Sequence, residues 1–120
     1  MNDFDEEAST RGGYERIIVR PLVAQDGIAR RTVLRFRGRP VERVSVVLEE
    51  IRGGQLGALV RYDDAHGQFH RHMPGWPEPS EQIEAFLEVP VRQRAAFADT
   101  EIRAQYIAWE AEVFGDKEKS

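Results

Sequence analysis

All three histidines of the chain fall within seven residues, inside the stretch RYDDAHGQFHRHMPGW that runs from 61 to 76. They are His66, His70 and His72, flanked by Arg61, Asp63, Asp64 and Arg71. Three kinds of chemistry suit such a set. A histidine pair titrating near neutrality can take the proton of an RNA 2′-hydroxyl and return one to the leaving 5′-oxygen, while an arginine stabilises the charged phosphorane. That scheme needs no metal and no cofactor; its catalytic candidates are His70, His72, Arg61 and His66, with Arg35, Arg37, Arg71 and Tyr62 as substrate-binding candidates and Asp63 and Asp64 as supporting carboxylates. Alternatively, an H-x-H pair on one strand face can ligate a divalent ion, with Asp64 or His66 completing the shell. The third reading is an exposed polar hairpin that contacts a partner or does nothing specific.

Spacing separates the histidines. His70 and His72 alternate in a strand-like run and project from one face, while Phe69, Arg71 and Met73 take the other. Phe69 and Met73 are natural core residues, so His70 and His72 are expected to face solvent. A turn at Asp64–Gly67 would place Tyr62 opposite Phe69 and Arg61 opposite His70, so that Arg61, His70 and His72 share a face; a one-residue slip would remove Arg61 from it. Arg61 and His66 have the arginine-to-histidine spacing of the HEPN ribonucleases, but there the motif lies on a helix, whereas here it crosses a strand and a turn and is read as chance. Phosphate-loop, nucleophile-elbow, H-E-x-x-H and paired C-x-x-C signatures are absent.

The elements that must position this stretch follow from periodicity. Residues 1–13 read as a disordered acidic leader. From 14 to 73, runs of period two separated by Gly, Pro and Asp turns predict an antiparallel meander of about four to five strands. One face is apolar, with Thr32, Leu34 and Phe36 on one strand and Val44, Val46 and Leu48 on the next; the other is rich in arginine. The connector Pro74–Pro79 ends the strand region, with Trp76 capping the core edge. Helices are predicted over 80–115, the first started by Ser80 and carrying Ile83, Phe86 and Leu87, the second capped by Asp99 or Thr100 and carrying Ile102, Tyr106, Trp109 and Val113. Gly115 ends the helices and 116–120 is a frayed tail. The fold class is α+β in a single domain.

Composition limits the function classes. The chain has 120 residues, 41% hydrophobic and 32% charged, a balance that suits a globular domain. No apolar run is long enough to span a membrane, the acidic start does not resemble a signal peptide, and cysteine is absent, so thiolate chemistry is excluded and a cytoplasmic location is expected. The net charge of −4 hides an uneven distribution. Residues 11–72 carry 12 arginines against 7 acids, and both flanks are acidic. Arginine binds phosphate through a planar fork, so a basic middle could meet RNA while the acidic ends meet a protein.

The stretch VRYDDAHGQFHRHMPGW resembles the TumE-like small proteins, in which a strand ending in R-Y-D leads through a D/N-A-H turn to a strand carrying H-R-H before prolines. It also resembles a related uncharacterised group with an R-Y-D-x-A-H-G-x-x-H-R core. The matching positions are Arg61, Asp63, Ala65, His66, His70, Arg71 and His72; the resemblance covers 60–73 and the order of strands before helix. TumE-like proteins are compact α+β proteins encoded beside helix-turn-helix antitoxins. The resemblance therefore implies a bacterial toxin with a cognate antitoxin as partner, a setting rather than a defined reaction.

Overall fold

In the computed structural model, the described residues are 4–10 and 13–119 for the backbone, and 14–115 apart from 66 and 84–86 for the side chains. Seven strands form one antiparallel sheet in sequence order: β1 (Phe4–Thr10), β2 (Gly13–Pro21), β3 (Ala29–Arg37), β4 (Arg43–Arg52), β5 (Gln55–Asp63), β6 (His70–His72) and β7 (Ile83–Phe86). One helix, α1 (Val91–Lys119), follows. The α+β class and the meander agree with the sequence, and β2 to β6 are the expected strands.

The sheet extends beyond them at both ends. Within the expected disordered leader, Phe4–Thr10 pairs with β2, Phe4 opposite Val19 and Thr10 opposite Gly13. At the other end, Ile83–Phe86 is a strand and not a helix, because β6 would otherwise leave its outer backbone groups unpaired. Ser80 does use its side chain on the following backbone, but in a turn: its hydroxyl accepts from the Gln82 N–H at 3.0 Å. A single helix replaces the expected pair. Asp99 does not cap it, since that carboxylate faces the sheet and accepts from the Thr32 hydroxyl at 3.0 Å. Gly115 does not end it either; the helix continues to Lys119.

The core lies between one sheet face and α1. Ile18, Leu34, Val46 and Tyr62 stand in one row across four strands. Ala98, Ile102 and Trp109 of α1 are buried with them, which is the helical stripe read from the sequence. In β2 the core residue is Ile18, not Ile17 or Val19, and its neighbour Arg20 reaches Asp99 at 3.4 Å. The helix is also held by charge. Arg30 donates to Glu110 at 2.9 Å, Arg71 to Glu101 at 2.8 Å, and Arg94 to Asp64 at 2.9 Å.

The proline-rich connector crosses close to β5 at Gly57. A Cβ there would come within 2.9 Å of the Trp76 ring and 2.8 Å of the Pro77 carbonyl oxygen. The connector is tied down by Ala58 N–H to Pro77 at 2.7 Å and Gly75 N–H to Leu59 at 3.1 Å. Trp76 packs edge-on against Phe114 at 5.8 Å between ring centres, closing the end of the core as expected.

Candidate functional site

The sheet face turned away from α1 carries the site. Pairing lines up Arg35 opposite Ser45, Ser45 opposite Asp63, and Asp63 opposite His70, one row across four strands. The row on one side holds Arg37 opposite Arg43, and the row on the other holds Arg61 opposite His72. Strands are about 4.8 Å apart, so the row from Arg35 to His70 spans roughly 14 Å.

The observed register differs from the expected one by two residues. Arg61 lies opposite His72, not His70, and Tyr62 opposite Arg71. The 3₁₀ turn Ala65–Gly67 and the residues beside it make the connection longer than the four-residue turn assumed. Because side chains alternate with period two, an even shift leaves the face assignments intact. Arg61, His70 and His72 therefore do share a face. Tyr62 and Phe69 still stack, with ring centres 6.0 Å apart.

Asp63 is the centre of this face. Its Oδ1 lies 3.0 Å from His70 Nε2 and accepts from the Ala65 N–H at 3.2 Å. Its Oδ2 lies 3.5 Å from His72 Nε2 and 3.9 Å from Arg61 Nε. Arg61 in turn reaches Glu78 at 3.6 Å. The other nitrogen of His70, Nδ1, donates to the Gln68 carbonyl at 2.8 Å. The histidine rings are 5.1 Å apart and tilted by 59°. The ligand-type atoms of Asp63, His70 and His72 all lie within 4.8 Å of one another.

Next to Asp63 is a hollow of about 350 Å³ lined by Glu15, Arg35, Arg37, Arg43, Ser45 and Asp63, among others. Arg37 has Glu15 at 3.8 Å. Among the described residues no carboxylate forms an ion pair with Arg35 or Arg43. Directly opposed like charges such as Arg37 and Arg43 destabilise a sheet unless an anion answers them. The lining sets Arg35, Arg37 and Arg43 among the carboxylates of Glu15, Asp63 and Asp64, and Asp63 joins the hollow to the histidine pair.

Several expected roles change. His70 is not solvent-facing: it is 6% exposed and both ring nitrogens face oxygen atoms. Neither ring nitrogen is therefore turned towards the open face. Tyr62 is fully buried, and its hydroxyl donates to Glu101 on the helix side. Burial and the Glu101 carboxylate hold that phenol well above its ordinary range. Arg71 also faces α1, paired with Glu101 and stacked 5.3 Å from the Trp109 ring centre. Neither Tyr62 nor Arg71 can share a substrate with the histidines. Asp64 is a structural carboxylate, 4% exposed, accepting from the Val44 N–H at 2.8 Å and from Arg94. The His66 side chain lies outside the described residues. Arg35 and Arg37, the expected substrate-binding arginines, both line the hollow beside Asp63. Arg43, Ser45 and Glu15 are the lining residues that sequence reading missed; only the β3–β4 pairing, not spacing along one strand, brings them there.

Fold and site together define a small α+β protein with a helix packed on one side of a meander sheet and an arginine, aspartate and histidine cluster on the other. The family model of a domain of unknown function, DUF7718, matches residues 11–113, and the chain belongs to that family. No curated protein and no solved structure matches the chain.

Proposed function

We propose that the helix-free sheet face binds RNA through its arginine hollow and acts on a phosphodiester beside Asp63, and that this activity is that of a cytoplasmic toxin neutralised by a cognate antitoxin. The observation that carries the reading is the single row Arg35–Ser45–Asp63–His70, which sets a phosphate-type pocket against a carboxylate–histidine cluster. Arginine forks recognise phosphate oxygens bidentately, and arginines fixed beside a reacting phosphate stabilise charge that develops on it. The buried state of His70 supports a positioning role for that ring. By side-chain exposure Asp63 is the most open of the three groups, at 23% against 12% for His72 and 8% for His70, which favours it as the group that meets a substrate. The TumE-like motif in β5 and β6 supports the toxin setting.

Induced expression of the full chain in a bacterial host tests this reading. The expected result is growth arrest with fragmentation of cellular RNA, and loss of both with Asp63→Asn. Arrest of equal strength by Asp63→Asn would contradict it. A second reading, a non-catalytic partner-binding module, is favoured by the apolar hollow of about 610 Å³ lined by Val89, Pro90, Ala96, Phe97 and Ala104 on the α1 side. Its mark is stable co-purification with a neighbouring gene's product, with no growth effect and no RNA cleavage.

A further inference from the structure

With no cysteine in the chain, a zinc-type site has no thiolate and must draw mainly on nitrogen and oxygen ligands. Among the described residues one group of three such side chains converges, namely Asp63, His70 and His72. A divalent ion held tetrahedrally at about 2.0–2.2 Å keeps its nitrogen and carboxylate ligands roughly 3.4 Å apart. Asp63 offers Oδ1 at 3.0 Å from His70 Nε2 and Oδ2 at 3.5 Å from His72 Nε2. One ligand atom from each of the three residues lies within 4.8 Å of the others, so a modest adjustment around an ion reaches that value.

The surroundings also fit. A metal-bound histidine ordinarily donates its second ring N–H to a carbonyl or carboxylate, which fixes the tautomer and the ring orientation. His70 does this with the Gln68 carbonyl. Its Nε2 faces the Asp63 carboxylate oxygen Oδ1 at 3.0 Å, on the side where an ion would sit. His72 Nδ1 is buried without a hydrogen-bond partner among the described residues, while its Nε2 is the nitrogen turned to Asp63. The nearby positive charge is partly answered, because Arg61 is shared with Glu78.

We infer that Asp63, His70 and His72 together bind one divalent first-row metal ion of the zinc type. Three protein ligands leave at least one coordination position for water or a phosphate oxygen, the pattern of catalytic and not of closed structural sites. The inference deepens the RNA reading and rests on it for what fills that position; the ion itself is tested without RNA. It also replaces the free histidine pair with a ligand pair, in keeping with the burial of His70.

The test uses the full chain with its affinity tag removed, stripped with chelator and titrated with Zn²⁺ by calorimetry and with Co²⁺ by visible absorption. Saturation near one ion per chain, a visible Co²⁺ band and a higher melting temperature with Zn²⁺ are expected. Asp63→Asn and His72→Ala should each weaken Zn²⁺ binding by about tenfold or more. Both keep Asp64 and the core, and unchanged circular dichroism verifies their folding. Absence of saturable binding, or binding unchanged in both variants, would overturn the inference. A chain that binds Zn²⁺ and leaves RNA intact sustains the metal site and rejects the RNA reading. A chain that shows no saturable Zn²⁺ binding and yet cleaves RNA in excess chelator does the reverse.

Discussion

Asp63 and Asp64 adjoin in sequence, yet period two sends them to opposite sides of the sheet. Asp63 gathers the histidines, and Asp64 holds the Val44 backbone and Arg94. The sequence shows that both lie beside the histidines but not which one belongs with them, because that depends on the exit of β5 and on a register set by the loop. Substitution should separate the two roles. Asp64→Ala strands the half-buried Arg94 cation and the Val44 N–H and should cost about 2–4 kcal/mol of stability, read by denaturant unfolding. Asp63→Asn should leave stability within about 1 kcal/mol while abolishing the proposed RNA cleavage. Asp63 and Arg61 are part-exposed, and Asn keeps the oxygen that accepts from the Ala65 N–H. The histidine pair itself was legible from the H-x-H spacing. The burial of His70 was not, because it depends on β7, which local preference assigns to a helix.

At the scale of elements, α1 is held to the sheet by apolar packing in its middle and by a buried charge cluster near its C-terminal end. Glu50 of β4 is fully buried beside Arg30, Arg52 and Glu110. Burial, reinforced by the neighbouring Glu110 carboxylate, pushes its carboxyl up to about 7. A carboxyl raised in the folded state binds more protons there than in the unfolded chain. Its stabilising contribution is therefore full below the unfolded value near 4.5 and is lost as pH rises through about 7. Glu50→Gln should remove that slope, on the order of 2 kcal/mol, in melts recorded between these limits. A second expectation concerns the connector. Gly57→Val would drive a side chain into Trp76 and Pro77 and should cost about 1–3 kcal/mol, seen as a lower melting temperature. The strands from β2 to β6 were readable because their alternation is strong. The continuity of α1 was not, because Asp99 carries a cap signal that its bond to Thr32 overrides.

Over the whole molecule, the sheet divides the arginines between two tasks. Arg20, Arg30 and Arg71 face α1 and pair with its carboxylates, while Arg35, Arg37 and Arg43 face the open side around the hollow beside Asp63. Composition reveals the basic middle of the chain but cannot divide it, since both sets have the same residue type and differ only in parity along their strands. No helix among the described residues is long and apolar enough to cross a membrane. The salt dependence of RNA affinity tests the role of the open face most directly. Asp63→Asn, used to prevent cleavage, would be compared with the same chain also carrying Arg35→Gln and Arg43→Gln on a labelled single-stranded RNA. Losing two phosphate contacts should weaken binding by about tenfold or more near 0.1 M salt and make the log–log salt slope shallower by about 1.4. Equal affinity and equal slope for the two proteins would contradict an RNA-binding open face.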